Sequence, residues 1–235
     1  SSMRGVRISK DNTEERISFI PPQEGVVLRI LSSHQQPYFE EAATSELDRD
    51  VLLKKASCLR ERFKNAKIPF IEPTVTNSKC ESLTFATDCK IPPSKVSLKD
   101  KMDCVRDLHA KLKSMDKRLV NVNVNYSDIE EVNIFADKDK DLKQNIILTS
   151  ISFTLFASQD NRTEYNWFSR TSTGGFELTR IPDSEIEKTK ESLLQLLHAE
   201  RINPGFYDTI TSPTVSGVIA HEAFGHGVET DMFLK

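Results

Sequence analysis

Within this 235-residue sequence, His221-Glu222-Ala223-Phe224-Gly225-His226 is the segment whose residue types and spacing can do chemistry. Neutral imidazoles are favoured zinc ligands, and a glutamate directly after the first histidine is placed to act as general base on a water acidified by the metal. In the H-E-x-x-H arrangement the two histidines lie four apart and share one helix face. Here they lie five apart. On an ideal α-helix that separation turns His226 roughly 140° away from His221, too far to share one ion. A local π-bulge or an early helix end, adding one residue to the turn, removes the discrepancy, and Gly225 is predicted to permit either. Gly227 is expected to let the chain leave sharply. Glu229 and Asp231 follow closely enough to partner a histidine N–H or to act as a further ligand. The same histidines also suit a helix end, where a cationic imidazole complements the dipole, and spacing alone leaves both readings open.

The helix that must carry this segment is announced by Ser212-Pro213, an N-cap followed by proline at the first helical position. Ahead of it, Asn203-Pro204-Gly205 reads as a linker turn, with a strand expected over 206–211. The boundary is therefore placed at 204, giving an N-terminal domain over 1–204 and the beginning of a second domain over 205–235. Within the first, short β-branched runs at 6–8, 17–20 and 26–31 read as an antiparallel meander. Ser45 with Asp48 resembles a capping box ahead of an apolar stripe at Leu52, Ala56, Leu59 and Phe63. The proline-rich stretch 69–93 reads as an irregular connection with a short strand near 83–86.

Ser97 with Asp100 opens a second helix, whose stripe runs through Met102, Val105, Leu108, Leu112 and Met115. Val120, Val122, Val124 and Tyr126 then alternate with asparagines, the period-2 signature of a strand with one buried face. Ser127-Asp128 is read as a turn, followed by strands over 130–135, 145–157 and 162–170. Tyr165 and Trp167 share one face of the last strand and read as sheet-face packing. Ser184 with Glu187 is taken as the start of a third helix. Runs of strands and helices without regular alternation predict an α+β fold, a mostly antiparallel sheet with helices on one face.

Composition narrows the function classes. Lys and Arg number 32 against 35 Asp and Glu, a formal charge of -3, which is not the basic footprint of a nucleic-acid binder. No apolar run approaches the roughly 18 residues of a membrane span, and no apolar leader is visible, so a cytoplasmic protein is expected. Cys58, Cys80, Cys89 and Cys104 form no C-x-x-C pair and read as reduced structural thiols. His34, His109 and His198 stand apart from one another and receive no catalytic role.

The stretch 211–235 resembles the signature of the TldD/PmbA family of metallopeptidases, whose older descriptive name is modulator of DNA gyrase. Gly25-Val26-Val27-Leu28-Arg29-Ile30, the helix from Ser97 and the strands over 119–170 resemble that family's N-terminal domain more loosely. The resemblance implies a TldD-type subunit, because PmbA-type subunits lack the histidine motif. On the family pattern His221 and His226 are zinc ligands and Glu222 is the catalytic base. The family's third ligand is a cysteine of the C-terminal domain, expected beyond Lys235, so the chain by itself is expected to be inactive. Family assembly implies a homodimer, or a heterodimer with a PmbA-type subunit, that encloses the site and admits unfolded peptides. The leading expectation is a zinc-dependent peptidase subunit. Its rival is a non-catalytic interaction or assembly subunit of a TldD/PmbA-like complex, and a nucleic-acid-associated regulator has neither charge nor motif in its favour.

Overall fold

A computed structural model describes residues 1–31, 39–65, 81–137 and 139–229. The chain divides into two compact units, Ser1–His198 and Ala199–Lys235. The first is the expected α+β architecture, built on a six-stranded sheet. Strand β1 (Ser2–Lys10) pairs antiparallel with β2 (Glu15–Glu24) on one side and with β6 (Leu119–Ala136) on the other. Strand β7 (Lys140–Gln159) pairs antiparallel with β6 along nearly its whole length. Its other side is shared by two strands: β5 (Glu81–Ala86) runs parallel to its first residues, and β8 (Arg162–Thr173) antiparallel to the rest. The 6–31 region is not one meander, because β3 (Val26–Leu31) leaves the main sheet and pairs with β4 (Phe39–Thr44) in a separate two-stranded ribbon. Part of the predicted 69–93 connection lies outside the described residues, as does His34.

Alternation along β6 and β7 sorts the sheet into a dry and a wet face. Val122, Val124 and Tyr126 of β6 and Ile151, Phe153 and Leu155 of β7 are buried. They pack with Val105 and Leu112 of α2 (Leu98–Lys113) and with Ile186 and Leu193 of α3 (Asp183–Leu196). The opposite face carries Asn123, Asn125, Ser127, Ser150 and Ser152, with Tyr165 and Trp167 exposed at the β8 edge. Val120 departs from the predicted series. The register shifts between Leu119 and Asn121, so Leu119 takes the inward place and Val120 turns to solvent.

The caps behave unevenly. Ser97 caps α2 as predicted, its hydroxyl accepting from the Asp100 N–H and donating to the Asp100 carboxylate at 2.7 Å. For α1 (Arg49–Asn65) the capping oxygen is that of Asp48, which accepts from the N–H groups of Asp50 and Val51, and not Ser45. Helix α3 starts after Pro182 with no side-chain cap, and Ser184 lies inside it.

The largest departure is at Ser127-Asp128, where no turn exists and β6 runs on as one 18-residue strand. Turn chemistry is overridden by an ion pair. Asp128 projects to the helix side, where its carboxylate meets the Lys101 ammonium of α2 at 2.7 Å and accepts from the Tyr126 hydroxyl at 2.7 Å. The two charged side chains keep 8% and 12% exposure. Burial, then the adjacent Asp128 charge, pushes the Tyr126 phenol far above its ordinary value, so it remains a donor. Gly5 lets β1 approach at this point, since a Cβ there would stand 2.2 Å from the Asp128 carbonyl oxygen.

A second polar staple holds the connection before α2 to the one after β8. The Glu177 carboxylate accepts from the backbone N–H groups of Gly175 at 3.0 Å, Ile91 at 2.9 Å and Lys90 at 3.1 Å. Burial opposes its ionisation, but backbone donors at Gly175, Glu177, Ile91 and Lys90 outweigh burial and lower its pKa from 4.5 to about 2. Among the described residues, no helix is long and apolar enough to cross a membrane.

Stranding a charge in the buried pair carries a large cost. Lys101→Met is expected to destabilise the chain by about 3 to 5 kcal/mol in urea unfolding. Lys101→Met with Asp128→Asn should recover at least half, because the amide oxygen still accepts from Tyr126. At Glu177 the folded-state pKa is depressed, so its contribution is complete above pH 4.5 and disappears as the pH falls towards about 2. The urea midpoints of the unsubstituted chain and Glu177→Gln, apart at pH 7, should converge by pH 2.

Candidate metal centre

In the second unit, no strand forms over 206–211, which has no regular secondary structure. Tyr and Phe alone do not make a strand without a partner to complete its hydrogen bonds. Ser212 caps helix α4 (Pro213–Ala220), its hydroxyl accepting from the Val215 N–H, and proline occupies the first turn. The helix does not continue as α. Residues His221–Gly225 form a π turn, closed by donation from the His226 N–H to the His221 carbonyl. A 3-10 turn, His226–Val228, follows directly.

This sequence of turns decides the geometry. With one residue added to the turn, five positions bring the chain round to nearly the same side. The His221 and His226 rings stand 4.6 Å apart between centroids, edge to face at 72°. A donor atom from each of His221, Glu222 and His226 lies within 4.8 Å of the other two. Gly225 is not the reason. Its φ of -56° and ψ of -53° are open to any residue, and a Cβ would meet the His221 Nδ1 at 3.7 Å, an ordinary contact. Gly227 likewise has no positive φ.

His226 stands between two carboxylates. Its Nδ1 is 2.6 Å from Glu229 Oε1, and its Nε2 is 3.7 Å from Glu222 Oε2. Asp231 lies outside the described residues. Among the described residues the donor group contains no other histidine, cysteine or carboxylate. His109 is buried in α2 with Nε2 3.2 Å from Asn12 Oδ1, and His198 follows the end of α3. Cys58, Cys89 and Cys104 are free thiols of the first unit, and Cys80 lies outside the described residues.

Two imidazoles and a carboxylate suit a borderline divalent cation such as zinc. Donors that share a zinc ion about 2 Å away lie at most about 4 Å from each other, so a small side-chain adjustment from the observed spacing suffices. The residues fit a metal in chemistry and in arrangement.

Residues 91–199 match the PmbA/TldA metallopeptidase central domain. A metalloprotease of Methanothermobacter thermautotrophicus is 33% identical over 150 residues, covering 61% of this chain and 32% of that protein. A metalloprotease of Methanocaldococcus jannaschii is 25% identical over 218 residues, covering 90% of this chain and 46% of that protein. In sequence the chain is similar to proteins of the TldD/PmbA family. It spans between about a third and a half of the length of these curated relatives. The crystal structure of a Bacteroides thetaiotaomicron protein described as a modulator of DNA gyrase superposes with a TM-score of 0.66 over 95% of this chain and 51% of that one. At 14% identity, that likeness shows the TldD/PmbA fold.

Because Gly225 is conformationally ordinary, Gly225→Ala should leave helicity unchanged and stability within about 0.5 kcal/mol. Retained nuclear Overhauser contacts between the His221 and His226 rings would confirm it. Their loss would make the glycine a requirement of the π turn.

Proposed function

We propose that this chain forms part of a zinc-dependent peptidase that hydrolyses unfolded peptides, with His221 and His226 as metal ligands and Glu222 as general base. The observation that carries the reading is the π turn, which gathers two imidazoles and a carboxylate that a regular α-helix would spread apart. The metalloprotease names of the relatives point the same way. A catalytic zinc site has three protein ligands, and the third, a cysteine on the family pattern, would come from outside the described residues. When bound, zinc supplies a Lewis acid that acidifies water and polarises a peptide carbonyl.

The chain's own residues supply the proton handling. Glu222 adjoins the first ligand in sequence, and its side chain is open to an incoming water. Its carboxylate accepts the proton of the attacking water and delivers it to the departing amine. The proposed assembly is a dimer, of identical subunits or with a PmbA-type subunit, acting in the cytoplasm.

The test uses the protein that carries this chain. Elemental analysis should find about one zinc per subunit, and Glu222→Gln should lower cleavage of an unfolded peptide at least about 100-fold while the zinc stays bound. Unchanged cleavage would remove Glu222 as the base. Absence of both zinc and cleavage would favour the non-catalytic assembly role.

A further inference from the structure

We propose that Glu229 is the positioning residue of this centre, holding His226 in its Nδ1–H tautomer so that Nε2 alone faces the space shared with His221 and Glu222. A neutral imidazole has one N–H and one lone pair, and the stronger acceptor contact decides which nitrogen carries the proton. At His226 the contacts are unequal. Nδ1 is 2.6 Å from Glu229 Oε1, well inside hydrogen-bond range, whereas Nε2 is 3.7 Å from Glu222 Oε2, outside it. The proton therefore resides on Nδ1, donated to Glu229.

Local backbone explains why this glutamate has the task. Positions three apart eclipse one another on a 3-10 turn, and Glu229, which follows the turn His226–Val228, meets the Nδ1 edge of the His226 ring. Consecutive turns thus divide the labour, the π turn setting His226 against His221 and the 3-10 turn setting Glu229 behind His226. With its proton turned away, Nε2 presents a lone pair on the side of the Glu222 carboxylate, an electron-rich space that a cation relieves. Glu222 is left without the histidine proton and remains available as a base. Among the described residues, the His221 ring has no such hydrogen-bonded carboxylate. A carboxylate behind a ligand histidine also raises its basicity towards a metal.

The consequence for metal binding rests on the zinc reading above, but the tautomer does not. Long-range 1H–15N correlation spectra of the metal-free 235-residue chain, recorded near pH 8, report which nitrogen of His226 carries the proton. The unsubstituted chain should show a protonated Nδ1 and a bare Nε2. Glu229→Ala should move the proton to Nε2, Glu229→Gln and Glu229→Asp should retain the original form at least in part, and His221 should not change. In the full protein that carries this chain, competition with a chromogenic chelator should then show zinc affinity falling about 10- to 100-fold in Glu229→Ala and less in Glu229→Gln, which still offers an acceptor.

A His226 proton on Nε2 in the unsubstituted chain, or a tautomer indifferent to Glu229→Ala, overturns the proposal. Equal zinc binding by the unsubstituted full protein and Glu229→Ala overturns it too, while leaving the metal reading intact. Failure of the unsubstituted full protein to bind zinc counts against the metal reading alone, because the metal-free spectra still decide the role of Glu229.

Discussion

A single backbone hydrogen bond, from the His226 N–H to the His221 carbonyl, spans five residues where an α-helix would span four, and the site follows from it. Without it the two imidazoles would diverge around the helix and Glu222 would neighbour only one of them. With it, three donor side chains lie within 4.8 Å of one another on a segment of six residues. The π turn needs no special residue, since Gly225 has an ordinary helical backbone. Its support is sequential: the Ser212 cap starts the helix, the five-residue bond widens it, and the 3-10 turn closes it. Helix α4 contains no buried residue, so local hydrogen bonds rather than a core define this unit among the described residues.

The first unit is held by the opposite logic. Its strands alternate so that one face of the sheet packs under α2 and α3 while the other presents serine, threonine and asparagine to water. Across that dry layer the Lys101, Asp128 and Tyr126 network fixes where α2 sits on β6. A buried ion pair contributes little net stability beside an apolar pair of the same shape, but it penalises any arrangement that separates its charges. It therefore acts on register. Glu177 does the same for two loops, with backbone N–H groups in place of a cation.

These two kinds of support explain how the fold persists where sequence similarity is slight. A buried-exposed alternation is satisfied by many combinations of β-branched and aromatic residues, and the Bacteroides thetaiotaomicron structure shares the fold at 14% identity. The spacing of the candidate metal centre has no such tolerance. One residue more or less between His221 and His226 would rotate one ring by about 100° relative to the other.

The amino-acid sequence alone determined the α+β class, the caps at Ser97 and Ser212, the period-2 strands, and the five-residue separation that a regular α-helix cannot bring to one side. Each depends on neighbours a few residues apart, so local periodicity and hydrogen-bonding capacity suffice. Tertiary structure decided what depends on distant partners. Ser127-Asp128 has turn chemistry, yet β6 runs straight because Lys101, 27 residues earlier, receives the carboxylate. Leu119 displaced Val120 from the core through a shift of register against β7, and β3 left the main sheet to pair with β4. At the candidate metal centre, sequence placed Glu229 near a histidine, but only the folded turn showed which histidine nitrogen it contacts. That choice rests on a difference of about an ångström between two contacts, which spacing along a chain does not encode.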